Sequence, residues 1–415
     1  MNNNYIGIEE AKLIIKSHTK VLSSEDILLK EALGKIVSSN IIATIDQQPF
    51  NNSAMDGFAI SSNKVNSASL SNKILFNIEK TVIAAGNNVL NVSLNNDSNL
   101  AVKIMTGATI PKGYDVVIPV EEAKIDGNTL IVSTTYNSMH NVRAKGEDFK
   151  KGEILVQKGD VITPYKAMLL QASGINNISV FKKPKLAIIT TGTEFNNENE
   201  ALTAGKIYNT SALFLEKFFS SNNFEVVNLG NIADNKLDLQ SLIENKVLDN
   251  FDVVVSTGAV SKGDFDIVPE VLKNYGKVLY HFLSIKPGKP NLLVQLHNGS
   301  LWFGLPGNPV STVIAARLLV YYYYLCATAR TELKLLAAVS QDIKKKSNFT
   351  VFHNCKLQNI KGELKVSLLE KQGSHIISSL ANSDVLIELN ANSTFFPKDS
   401  LVPFYFLNPA FNFNN

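Results

Sequence analysis

Cysteine is nearly absent from this 415-residue chain, with Cys326 and Cys355 its only two. Two thiols cannot by themselves build a disulfide framework or a thiolate zinc site. The six histidines are scattered, with no HExxH or paired spacing, so a histidine-ligated metal is not expected. Charge of one sign is missing too: 40 Lys and Arg against 37 Asp and Glu leave +3. That balance argues against nucleic acid as a partner, which calls for a strongly basic face. No basic stretch followed by an apolar one opens the chain. The most apolar run, LLVYYYYLCATA at 318–329, falls short of the about 20 residues that a bilayer requires. No membrane partner is expected, and the expected location is cytoplasmic. GxGxxG and GxxxxGK[ST] strings are absent, which removes the dinucleotide fingerprint and the P-loop. What remains, 45% hydrophobic and 19% charged residues, is the make-up of a globular chain. Its length suits about two to four domains.

The apolar spacing of residues 8–20 predicts an opening amphipathic helix, and 26–37 reads as a second amphipathic piece ended by Gly34. From Ile41 onward, short β-like runs alternate with turns, the pattern of a small β-rich domain. A helix follows at 164–174, and pieces on either side of the β-rich stretch are expected to pack together, making that stretch an insertion. The middle of the chain alternates apolar strands (185–192, 224–230, 251–258) with helical stretches, which predicts βαβ units. Beyond about residue 330 the strands become short and alternating again, as in a β barrel or sandwich. The fold class read from this pattern is multidomain α/β. A central, doubly wound, mostly parallel sheet is joined by an N-terminal helical/β part, an inserted β-rich domain and a C-terminal β barrel. The expected boundaries are 1–45 plus 148–182, 46–147, 183–329 and 330–415.

Three of the mid-chain strands run into small, Gly-bearing loops: Thr190 to Glu194, Ser256 to Asp266, and Gly304 to Pro309. In open α/β sheets the ligand crevice lies at the carboxyl ends of the strands. Gly and small hydroxyl residues there let backbone N–H groups approach an anion. Thr191, Gly192, Gly258, Ser261, Pro306 and Gly307 are therefore candidate substrate-binding residues. Glu194, Asp234 and Asp266 lie just past strand ends, where carboxylates beside phosphates suit Mg²⁺. Lys286-Pro287-Gly288-Lys289-Pro290 presents two ammonium groups on a rigid backbone, an arrangement that suits an oxyanion, although taken alone the string reads as a solvated turn. The turn-like Asn51 to Ala59 string, Thr106-Gly107-Ala108 and Gly146-Glu147-Asp148 carry weaker signals of the same kind.

FNNSAMDGFA, MTGA, RAKGEDFKKGE, TTGTE, TGAVSKGDFD, KPGKP and GLPGNPVS occur together and in this order. With these strings the chain resembles the molybdopterin molybdenumtransferases, the MoeA and gephyrin E-domain family, over nearly its whole length. The resemblance implies an elongated homodimer and insertion of molybdenum from molybdate into adenylylated molybdopterin, with Mg²⁺ and release of AMP. It leaves open a docking molybdopterin adenylyltransferase. Carried over by motif, Asp56, Glu194, Asp234 and Asp266 are the catalytic acids, the last three also the Mg²⁺ ligands. Asp56 and Thr106 would reach the cleft from the partner subunit. Asp148, Lys286, Lys289 and Ser374 match substrate-binding positions. Departures from the family pattern are Ala259 in place of a second glycine, Lys262 for an apolar residue, Phe282 for a lysine, and the replacement of a C-terminal-domain arginine near Asn354. An adenylyltransferase-type enzyme and an inactive dimeric scaffold are the alternatives. The extra domains and the MDG string argue against the first, the intact acids against the second.

Overall fold

The computed structural model describes residues 5–86, 99–196, 200–233, 235–248, 250–261 and 267–408. Contacts divide the chain into two compact units, Met1–Glu25 with Phe181–Asn415, and Asp26–Val180.

The larger unit is built on a six-stranded sheet. Strands Glu225–Ile232, Lys185–Thr191, Val253–Thr257 and Leu301–Leu305 run parallel, in that spatial order. Leu292–Leu296 is antiparallel to its neighbours, and Gly276–His281 closes the edge. One reversed strand is the only departure from a parallel sheet, so the expected architecture holds. Because side chains alternate across a strand, Ala187 and Ile189 face one layer, and Leu186 and Ile188 the other. The first layer packs Leu239, Ile243, Val247, Val268 and Leu272 from two short helices onto the sheet. Trp302, the only tryptophan, is fully buried there with its indole N–H donating to Ser256 Oγ at 2.8 Å. Burial without that acceptor would leave a desolvated donor at a cost of about 1–3 kcal/mol. The opposite face carries helix Thr210–Ser221 and a continuous helix from Pro309 to Ala327. That second helix is 19 residues long. Long and apolar enough to cross a membrane, it is nevertheless 89% buried inside the fold, as a core helix is.

In the same unit the C-terminal strands close on themselves. Thr350–Ile360, Glu363–Leu368, Leu335–Val339, Leu401–Phe406 and Val385–Leu389 pair in turn, and the last returns to the first. This is the predicted barrel, filled by residues such as Val339, Cys355, Ile387 and Phe404. Ile285–Lys286 adds a short parallel pairing to the barrel strand at Thr350-Val351.

The second unit has a six-stranded sheet in the order Val116–Pro119, Gly57–Ile60, Leu100–Ile104, Ile74–Ile83, Thr129–Val132 and Lys124–Asp126. Leu29, Ala32 and Val37 share a separate core with Val156, Ile162, Leu170 and Val180, so the segments flanking the β-rich stretch do meet. One local expectation fails. Residues 26–37 form no helix. They give the end of strand Ser24–Leu28 and one 3₁₀ turn, Leu29–Glu31, with the Leu29 amide donating to the Asn176 carbonyl. A tertiary hydrogen bond has overridden the helical spacing. Helix Ile8–His18 is present as expected, and it packs on the Pro309–Ala327 helix within the larger unit.

Candidate functional site

The sheet register places the glycine loops side by side: Thr190 pairs with Thr257, and Thr257 with Leu305. Beyond those pairs the loops touch. Thr191 Oγ1 donates to the Thr257 carbonyl at 3.2 Å, and the Gly258 amide donates to the Leu305 carbonyl at 3.2 Å. Gly258 has φ +86°, and a Cβ there would lie 2.7 Å from Thr191 Oγ1, so only glycine fits. A Cβ on Gly307 would in turn lie 3.6 Å from Gly258 Cα. Pro306 is buried, and its carbonyl accepts from Thr312 Oγ1 at 2.6 Å, holding Gly307 exposed at the start of helix Pro309–Ala327. Ser261 is exposed just beyond Val260, whose carbonyl contacts His281 Nε2 at 2.7 Å. Ala259 adopts φ +50°, the left-handed region in which glycine is at ease, at the position where the sequence departs from the family's glycine pair.

Gly192 (φ +141°) is covered by the Glu194 carboxylate, so closely that a Cβ on Gly192 would overlap both carboxylate oxygens. Glu194 is itself exposed. Its loop is tied down by Asn231 Nδ2 donating to the Gly192 carbonyl at 2.9 Å and by Ile207 N donating to the Glu194 carbonyl at 2.9 Å. Lys206 Nζ donates to the Thr193 carbonyl. Asn209 caps helix Thr210–Ser221 through Ala212 N and donates to Thr190 Oγ1 at 2.9 Å. Sequence reasoning missed these supports. An Asn before a helical run signals a cap, but nothing local signals the bond back to the strand.

Asp234 and Asp266 lie outside the described residues, as do Lys262 and Asp264. Among the described residues no group of three or more His, Cys, Asp or Glu could hold a metal ion. Of the three expected Mg²⁺ ligands, Glu194 is the one the structure describes. Its carboxylate is the oxygen type of donor that a hard cation takes.

The KPGKP segment is held to the barrel by the pairing of Lys286 with Val351. The Lys286 and Lys289 ammonium groups lie 5.9 and 5.6 Å from the Phe349 ring centroid, and Lys289 lies 5.3 Å from that of Tyr5. Aromatic faces stabilise a cation without neutralising it, so both charges stay available. Ser374 is brought to the same region, its carbonyl accepting from Val310 N at 3.1 Å in the first turn of the Pro309–Ala327 helix. Lys286 and Ser374 line one cavity of about 520 Å³.

In the second unit, the MDG and MTGA strings meet directly. Thr106 donates from both its backbone N and its Oγ1 to Asp56 Oδ1, each at 2.7 Å. Those two bonds, the backbone one foremost, hold the Asp56 carboxyl below the usual carboxylate range, so this exposed group is ionised at neutral pH. Gly57 is required because a Cβ would overlap the Ile118 carbonyl of the neighbouring strand. Asp148 is exposed on a loop joined to the segment before the MDG string: its amide donates to the Gln47 carbonyl, and Lys145 N donates to Asn51 Oδ1, both at 2.8 Å.

Family profiles match most of the chain. "MoeA N-terminal region (domain I and II)" matches residues 6–174, "Probable molybdopterin binding domain" 187–324 and "MoeA C-terminal region (domain IV)" 337–407. The chain is 31% identical over 392 residues to the molybdopterin molybdenumtransferase of Staphylococcus aureus, covering 92% of each sequence. It is 30% identical over 375 residues to that of Haemophilus influenzae, covering 88% of this chain and 89% of the relative. The chain belongs to the molybdopterin molybdenumtransferase family. The solved molybdopterin biosynthesis MoeA protein of Pyrococcus horikoshii OT3 superposes with a TM-score of 0.83 at 27% identity, over 97% of this chain and all of that one. As a molybdopterin molybdenumtransferase family member the protein is a transferase of molybdenum cofactor biosynthesis, and the adenylyltransferase and scaffold readings are not favoured. The abutting Gly258 and Gly307 loops, and Glu194, fall within the residues matched by the molybdopterin-binding profile.

Proposed function

We propose that this transferase inserts molybdenum from molybdate into adenylylated molybdopterin and releases AMP. The observation that carries the reading is the abutment of three glycine loops at the carboxyl edge of the sheet, with the Glu194 carboxylate lying over Gly192. Such an edge, at the carboxyl ends of the strands, is where open α/β sheets take their ligands. Lys286, Lys289 and Ser374 receive molybdate, a dianionic substrate suited to unneutralised ammonium groups. The dithiolene sulfurs of the substrate are the ligands of the incoming metal, so the chain needs no cysteine cluster of its own. No nucleophilic side chain is needed. The residues position the two substrates and stabilise charge as AMP departs.

Glu194 would hold Mg²⁺ together with Asp234 and Asp266, and the ion would offset the charge of the phosphates when bound. Asp56, kept ionised by Thr106, completes the site from the second unit of a partner subunit in a cytoplasmic homodimer, and Asp148 serves as a further substrate-binding acid. The test is AMP release from adenylylated molybdopterin with and without molybdate and Mg²⁺. Release should require both. Asp56→Asn should lower it by about a hundredfold or more, the usual scale for loss of a catalytic acid or base. Full AMP release by a normally folded Asp56→Asn protein would overturn the reading.

A further inference from the structure

The cavity shared by Lys286 and Ser374 has further cationic walls. Lys344 and Lys346, from the segment that enters the barrel, line it as well, and no Asp or Glu does so among the described residues. Neither lysine, nor Lys286, has an ion-pair partner among the described residues. The segment that carries them is held firmly. Ile343–Lys344 pairs with Phe395–Phe396, Lys345 N donates to the Thr394 carbonyl at 2.8 Å, and the buried Lys345 ammonium donates to the Phe349 and Asn390 carbonyls. Lys345 is thus used up in anchoring, and its exposed neighbours are left with unpaired charge. Like charges gathered around one cavity repel one another, a cost that a bound anion removes.

An independent observation points the same way. Asn354 also lines the cavity; it is 2% exposed, and its Oδ1 is buried without a hydrogen-bond partner among the described residues. A buried amide so placed is completed by a ligand or a water. Turning it over about its Cβ–Cγ bond presents Nδ2 to an acceptor.

We propose that Lys344 and Lys346 complete the oxyanion receptor of this site, extending the Lys286 pocket into a subsite for a tetrahedral dianion. This rests on the transferase reading above. The shared chemistry is that of molybdate and of the substrate's phosphates, and the experiment separates the two.

Molybdate binding to the full-length protein is followed by titration calorimetry, for the wild type, Lys286→Ala, the double variant Lys344→Ala/Lys346→Ala and its arginine counterpart. Near-UV circular dichroism checks the fold of each. A second arm measures retention of adenylylated molybdopterin by ultrafiltration in molybdate-free buffer. The double alanine variant should bind molybdate about tenfold more weakly, the scale of two partly screened charges acting on a dianion. The double arginine variant should stay within about threefold of the wild type. Weakening in the second arm alone would assign the subsite to the substrate's phosphate and still uphold it. Unchanged affinity in both arms would overturn the inference. An unaltered molybdate titration for Lys286→Ala would instead refute the receptor assigned under the transferase reading, leaving the second arm to decide the role of Lys344 and Lys346.

Discussion

Replacing Glu332 by glutamine should destabilise the larger unit by about 3–5 kcal/mol, the usual cost of leaving a buried ion uncompensated. Glu332 receives Arg317 Nη1 at 2.7 Å and Lys12 Nζ at 3.2 Å, with side-chain exposures of 8% for Glu332, 1% for Arg317 and 8% for Lys12. Arg317 Nε also donates to the Phe406 carbonyl at 2.7 Å, so the carboxylate joins helix Ile8–His18 to helix Pro309–Ala327 and Arg317 carries the link on to a barrel strand. Arg317 Nη2 is already buried without a partner among the described residues, so no spare acceptor takes over when the charge is lost. At about 2–4 °C per kcal/mol for a unit of this size, the melting temperature should fall by roughly 10 °C.

The effect should depend on pH. Burial pulls the Glu332 pKa upward, but the charges of Arg317 and then Lys12 outweigh it and leave it below its ordinary 4.5. A depressed folded-state pKa contributes stability above the unfolded value and loses it as pH falls through the folded one. The gap between wild type and Glu332→Gln should therefore be constant above about pH 6 and narrow below 4.5. Urea unfolding followed by near-UV circular dichroism at several pH values measures it. A gap under about 1 kcal/mol at pH 7, or one that does not narrow in acid, would refute the reasoning. Replacing Lys12, Arg317 and Glu332 together by methionine should cost far less than the single change, because no uncompensated charge remains.

Gly192→Ala should expel the Glu194 carboxylate from its place over the loop and reduce AMP release as severely as Glu194→Ala does. Its stability should fall only by about 1–2 kcal/mol, the strain of a positive φ; a normal rate in Gly192→Ala would separate Glu194 from the chemistry. Thr106→Val removes the hydroxyl bond to Asp56 but keeps the backbone one, so the Asp56 pKa should rise part-way towards 3.8. The acid limb of the pH–rate profile should then move to higher pH with the rate at pH 7 nearly retained. An unmoved acid limb would show that this group does not control it.

The strands, their order of type and their Gly-bearing ends could be read from the chain because each follows from local rules. Apolar runs such as 185–191 and 253–257 have one reading in an α/β protein, and glycine after a strand marks a loop. The KPGKP and MDG strings were likewise visible, being unlike ordinary sequence. Local spacing failed where a distant partner decided the outcome: the Asn176 carbonyl drew residues 26–31 out of a helix.

Residue types and their positions along the chain were thus enough to give the fold class and to single out the glycine loops with the acids beside them, since period and turn chemistry are properties of neighbours in sequence; Asp56, Asp148 and the lysine pair were nominated by the resemblance of their strings. Only the tertiary structure decided that Thr106 binds Asp56 across 50 residues, that Gly258 sits against Thr191, and that Lys344 and Lys346 share a cavity with Lys286. Those contacts depend on sheet register and barrel closure, which join segments far apart in sequence and leave no local pattern to read.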